Sequence, residues 1–153
     1  FVRKDIKLIS VKTLQGMLSR ENLLTVSPGG IAGAPNDIYS FDGNPAGAAG
    51  MAEMLIQNHE GYVEFLPCLP AAWKNGQFKG LCIRGGAEVS AQWENTVIQH
   101  ASLKATADNT FTVKLPTEKK YTVTLNGKEV PAKTDNKGLI TVEMKAQDLL
   151  EIK

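Results

Sequence analysis

The segment Asn36-Asp37-Ile38-Tyr39-Ser40-Phe41-Asp42-Gly43-Asn44 sets two carboxylates and two amides around a pair of aromatic rings, directly ahead of a helix start. A carboxylate there could take a proton from a water molecule while neighbouring amides hold that water in line for attack. Such a water would suit hydrolysis. On spacing alone, Asp42 reads first as a turn or capping residue. Cleaving a glycosidic bond also calls for a second carboxyl group across the scissile bond, and no obvious partner stands nearby in sequence.

Other chemistry-bearing residues are sparse. Trp73 and Trp93 could each stack on a sugar ring. Trp93 falls on the apolar face of a strand and reads as core, whereas Trp73 follows Leu69-Pro70-Ala71-Ala72 in a loop and stays a candidate ligand platform. Arg84-Gly85-Gly86 looks like an RNA-binding RGG unit, but it occurs once, between two strand patterns, and reads as a hairpin turn. Cys68 and Cys82 lack CxxC spacing and histidine-rich neighbours, so a zinc site is not expected; buried free thiols are the leading reading, with a disulfide and a reactive thiol as alternatives. The histidines are His59 and His100, and neither a Ser/His/Asp set, a phosphate loop nor a dinucleotide fingerprint appears. No cofactor and no metal are expected.

The elements that must carry these residues change character near residue 61. From Asp5 to Leu18, Leu8, Val11, Leu14 and Leu18 recur at helical spacing. Ser27 to Gly50 reads as a long irregular loop, because glycines and prolines interrupt it until Asn44, where Asn44-Pro45 opens a helix expected to run to about His59. Ala48, Met51, Ala52, Leu55 and Ile56 form its apolar stripe, and the first turns are small on nearly every side, so it reads as a helix surrounded by neighbours.

Beyond Gly61 eight short strands are expected: Tyr62–Leu66, Phe78–Arg84, Ala87–Trp93, Val97–Ala105, Phe111–Leu115, Tyr121–Leu125, Leu139–Met144 and Leu149–Ile152. Val89, Ala91 and Trp93 alternate with Glu88, Ser90 and Gln92, the pattern of an antiparallel sheet wet on one side. Asn126-Gly127 supplies the strongest hairpin signal, since both residues accept the positive φ of a type I′ turn. The fold class is therefore mainly β, an antiparallel β-sandwich preceded by a helical segment.

Composition limits what the chain can meet. With 153 residues, 42% hydrophobic and 22% charged, it can build one real core. A net charge of +1 gives no field to gather nucleic acid or anionic lipid, so neither is an expected partner. No apolar run approaches the ~18 residues of a membrane span. The chain begins at Phe1 without a signal-peptide pattern, which reads as a piece of a longer polypeptide.

Phe41-Asp42-Gly43-Asn44, the run Gly47-Ala48-Ala49-Gly50-Met51-Ala52-Glu53-Met54-Leu55-Ile56-Gln57-Asn58-His59, Phe65-Leu66-Pro67-Cys68-Leu69-Pro70, Trp73, Lys79-Gly80-Leu81 and Arg84-Gly85-Gly86 stand in a telling order. Together they resemble the C-terminal part of glycoside hydrolase family 95, bacterial and plant inverting α-L-fucosidases with some α-galactosidase members. The resemblance implies that residues 1–60 are the last helices and active-site loop of a truncated (α/α)6 barrel and residues 61–153 a C-terminal β-sandwich. It implies a catalytic role for Asp42, a water-activating aspartate, and substrate contacts at Asn44 and Trp73. The partner it implies is a fucosylated or galactosylated glycan, met by a secreted, periplasmic or extracellular parent. Where the family writes His-Pro-Pro-Phe-Gln-Ile ahead of that aspartate, this chain has Asp37-Ile38-Tyr39-Ser40-Phe41. The general acid would come from an earlier barrel helix, leaving the fragment alone inactive and prone to self-association through its uncovered helix.

Overall fold

The computed structural model describes residues 26–27, 38–39, 43–115, 117, 120–131 and 138–153. The chain divides into two compact units, Phe1–Met54 and Leu55–Lys153. In the first, β1 (Val26–Ser27) pairs antiparallel with β2 (Ile38–Tyr39), matching Val26 to Tyr39 and Ser27 to Ile38. The β-branched and aromatic pair at 38–39 thus forms a short ladder inside a stretch expected to be irregular throughout. The helix expected over Asp5 to Leu18 lies outside the described residues.

Helix α1 spans Gly43–Leu55 and opens, as Asn44-Pro45 implies, with proline in its first turn. It carries no acidic residue in the first turn and no basic residue in the last, so no charge within those turns compensates its dipole. Met54 is buried while Met51 is 41% exposed. The helix stops at Leu55 rather than near His59, because Ile56–Gln57 form β3 and pair with β4 (Val63–Phe65). The Leu66 amide donates to the Leu55 carbonyl at 2.8 Å, so a strand end takes the acceptor that another helical turn would have used.

The second unit holds the sandwich. Its remaining strands are β5 (Gly76–Ile83), β6 (Ala87–Glu94), β7 (Val97–Ala105), β8 (Asn109–Lys114), β9 (Val123–Leu125), β10 (Lys128–Glu129), β11 (Leu139–Met144) and β12 (Leu149–Ile152). Six of the strands form one sheet in the order β10-β9-β12-β7-β6-β5, and four form another in the order β11-β8-β4-β3. Each of the eight expected strands has a counterpart, and β3 and β10 are additions too short to show a period. Among the described residues all ladders are antiparallel except β4 with β8, where Val63 lies beside Val113 and the strands run parallel.

Alternation decides which side chains fill the space between the sheets. On β6, Ala87, Val89, Ala91 and Trp93 point inward and are 5% exposed or less, with Glu88, Gln92 and Glu94 outside. Leu103, Val113, Val123, Leu150 and Ile152 complete the driest part of the core. The β9–β10 turn is the expected one, with φ of 50° at Asn126 and 77° at Gly127. The β6–β7 turn carries φ of 49° at Asn95 and 67° at Thr96, an uncommon conformation for a β-branched residue. It is held from outside: the Asn95 amide donates to Asn75 Oδ1 at 2.7 Å and the Thr96 amide to the Lys74 carbonyl at 2.8 Å.

A bulge on β5 corrects one expectation. Phe78 faces Ala91 and Leu81 faces Val89, so three steps along β5 match two along β6, with Gly80 at φ 71° absorbing the extra residue. That shift turns Cys82 outward where unbroken alternation would have buried it. Cys68 is buried, Cys82 is exposed, and both are free thiols.

Gly76 packs its backbone against the indole of Trp93, and a Cβ there would stand 2.5 Å from Trp93 Cζ2. The ring is buried and tilted at 49° against Phe78, so it has little room to yield. Gly76→Ala is therefore expected to lower stability by roughly 1–3 kcal/mol through overpacking. A drop in urea midpoint with an unchanged m-value checks it.

Candidate functional site

The residues singled out from the sequence fall in different places. Asp42 lies outside the described residues. Asn44 stands in the first turn of α1, in the first compact unit. Trp73 belongs to the second unit, in the loop between β4 and β5, half-buried against the core. Its amide closes a turn onto the Pro70 carbonyl at 2.9 Å, and its carbonyl accepts the Trp93 indole N–H at 2.8 Å. Lys74 and Asn75 are tied to the β6–β7 turn, so hydrogen bonds fasten this loop to the sheet at three successive residues.

An opening in the second unit lies elsewhere. Glu64 and Phe65 of β4, the following Leu66-Pro67, and Lys114, Leu115 and Thr117 at the end of β8 line an open cleft of about 230 Å³. Leu66 takes φ of 52° to turn the chain there. Lys114 Nζ donates to Glu64 Oε1 at 3.0 Å and lies 5.7 Å from the centroid of the Tyr62 ring. These two charges are fifty residues apart in the chain, and the parallel β4–β8 register brings them together. No local sequence pattern marks such a pair. Among the described residues the cleft's chemistry is limited, because the one carboxylate lining it there is already held by an ammonium group and hydrolysis needs a second.

The Arg84-Gly85-Gly86 segment is the β5–β6 hairpin turn, with φ of 94° and 80° at its glycines. Its carbonyls are all engaged: Arg84 accepts from Asn58 Nδ2 at 2.9 Å, Gly85 from Asn109 Nδ2 at 2.8 Å, and Gly86 from the Thr106 amide at 2.8 Å. The motif therefore builds the sandwich and leaves its backbone acceptors unavailable to a ligand. Among the described residues no group of three or more His, Cys, Asp or Glu is placed to hold a metal ion.

Charge at the sheet rim is organised around backbone donors. Asp108 accepts from the Ala146 amide at 2.8 Å and from Lys145 Nζ at 3.2 Å, which hold its carboxyl below the usual range. Asp148 is lowered by the Asn126 side-chain amide at 2.8 Å and by the Lys145 amide at 2.7 Å. Glu151 is lowered by His100 at 3.1 Å and then by Lys153. Each depressed carboxylate stabilises the fold fully above its unfolded pKa, and that contribution disappears as pH falls through the lower folded value. The urea midpoint is thus expected to hold above about pH 5 and to decline below about pH 4. Asp148→Ala should flatten part of that acid limb, as unfolding curves across the range would read directly.

Residues 57–152 match the family model described as glycoside hydrolase family 95, C-terminal domain. The chain is also similar to Alpha-L-fucosidase 2 of Arabidopsis thaliana, at 45% identity over 56 residues. The matched stretch spans 36% of this chain and 7% of that relative.

Proposed function

The chain belongs to glycoside hydrolase family 95, whose C-terminal domain occupies residues 57–152, and from that membership we propose that it is the C-terminal part of an inverting α-L-fucosidase-like enzyme. The observation that carries the reading is the family match along nearly the whole sandwich, joined by the likeness to an α-L-fucosidase. The full-length parent hydrolyses terminal glycosidic bonds of fucosylated glycans, with galactosylated glycans as the second substrate class. Asp42 assists removal of the proton from the attacking water, while Asn44 and Trp73 contact the sugar. Residues 1–60 supply the last helices and active-site loop of an (α/α)6 barrel, and the family resemblance favours a secreted bacterial parent, periplasmic or extracellular.

On this reading the chain alone is inactive, because the general acid comes from an earlier helix of the parent's barrel, and the one carboxylate among the described residues of the sandwich cleft is already paired with Lys114. A free-standing carbohydrate-binding or structural sandwich is the competing reading; the Ala/Gly-rich α1, with Met51 exposed, weighs against it. That exposed surface should make the isolated chain self-associate, which light scattering would detect. The deciding experiment assays the full-length parent and the 153-residue chain on nitrophenyl α-L-fucoside and α-galactoside, following product anomers by NMR. Hydrolysis with inversion by the parent alone is expected. Retention of configuration, no hydrolysis of either substrate, or equal activity in the isolated chain would overturn the proposal.

A further inference from the structure

Asn126 and Gly127 are both exposed at the tip of the β9–β10 hairpin, and a Cβ on Gly127 would meet no atom within 4 Å. An asparagine followed by glycine carries a latent reaction of its own. The Gly127 backbone nitrogen can attack Asn126 Cγ, forming a succinimide ring and releasing the side-chain nitrogen as ammonia. Water then opens the ring at either carbonyl, leaving aspartate or isoaspartate. Glycine is the most permissive successor because no side chain shields its nitrogen.

For the attack to occur, the Asn126 carboxamide must swing over its own C-terminal peptide. The fold fastens it elsewhere. Asn126 Nδ2 donates to Asp148 Oδ1 at 2.8 Å, and Asn126 Oδ1 accepts the Leu149 amide at 2.9 Å. The Asn126 amide in turn donates to the Leu149 carbonyl at 2.9 Å, and Asp148 Oδ2 is fixed by the Lys145 amide at 2.7 Å. Both ends of the carboxamide are thereby tied to the start of β12, and neither can rotate toward Gly127 without breaking two hydrogen bonds.

We propose that Asn126 is a gated deamidation site, with Asp148 as its gate: the closed corner keeps the amide unreactive, and transient opening of β9–β10 commits it to a one-way conversion. After conversion, a carboxylate stands where the donor to Asp148 stood, so an attraction becomes a repulsion between like charges. Isoaspartate would also add a backbone carbon to a two-residue turn. Among the described residues β10 is the outermost strand of its sheet and pairs only with β9, so the corner loosened is one with few other ties there.

The chain contains its own reference. Asn75-Gly76 is the other Asn-Gly step, but there Gly76 begins a strand and its backbone lies flat against Trp93. Asp148 does not touch it.

The test ages the intact 153-residue chain at neutral pH and physiological temperature, as wild type, Asp148→Ala and Val113→Ala. Conversion is read by mass on the tryptic peptide Tyr121–Lys128 and by isoaspartate-specific methylation. Asp148 is half-buried and no member of the core cluster, so its truncation leaves the core intact; Val113→Ala opens the core from a strand of the other sheet as a general destabiliser. Asp148→Ala is expected to speed conversion at Asn126 on the order of 10-fold, the effect of losing a charge-assisted hydrogen bond from a local opening equilibrium. Asn75 should be unchanged, and in concentrated urea wild type and Asp148→Ala should convert at one rate. An unaltered rate in folded Asp148→Ala, equal acceleration in Val113→Ala, or a folded wild type that reacts as fast as the unfolded chain would each overturn the proposal.

Discussion

Val89→Asp should abolish cooperative folding of the sandwich. Val89 has no exposed surface and sits between Leu81 of β5 and Leu103 of β7, all facing the core. A carboxylate there would meet no cation and little water, at a cost of several kcal/mol even after it takes up a proton. Domains of this size are stable by about 5–15 kcal/mol, so the loss is comparable with the whole. Urea titration should show a broad, non-cooperative change in place of a single transition. Ser90→Asp, one position along on the outer face, should unfold almost as the wild type does. If Val89→Asp instead unfolds in one sharp transition, the inward face of β6 has been assigned wrongly.

In the full-length parent, Asp42→Asn should lower kcat by roughly 10²–10⁴-fold with little change in melting temperature. An inverting hydrolase keeps its two carboxyl groups ~6.5–9.5 Å apart to admit a water, so its base can come from a loop far in sequence from its acid. On the proposed function Asp42 is that base, one residue before α1 in the sequence. The same position would also let it cap the helix. A cap predicts the opposite result: activity within a few-fold of wild type and about 1 kcal/mol less stability. Measuring both quantities on one variant separates the two roles.

What could be read from the sequence was what neighbours in the chain decide. The β6 alternation, the Asn126-Gly127 turn and the glycines at 85–86 are local, and each appears where the pattern puts it. The residues at 41–93 that resemble the family fall across the stretch where the family match begins. Competition with distant partners was harder to read. Ile56 continues the helical stripe of α1, yet pairing with Phe65 draws it into a strand. One extra residue at the Gly80 bulge reversed the direction of Cys82, and the Asn95-Thr96 turn depends on Asn75 and Lys74 rather than on its own residue types. The Glu64–Lys114 pair required the β4–β8 register, which no stretch of either strand encodes alone. Trp73 shows its loop setting in the sequence, but its anchoring to Trp93 needs the sheet to exist first.

The parallel pairing of β4 with β8 bears on the order in which the sandwich assembles. β5, β6 and β7 follow one another through short turns and can zip together as soon as they are made, whereas Glu64 waits fifty residues for Lys114. Closing so long a loop costs entropy before any contact repays it, so the β5–β6–β7 meander forms early and β4 docks late. During synthesis the order is harsher still, since β4 leaves the ribosome before any part of β8 exists. For that interval Val63 and Phe65, both buried at the end, present an apolar strand edge to the solvent. The step most exposed to misassembly is therefore the docking of β4, which brings its hairpin partner β3 into the sheet with it.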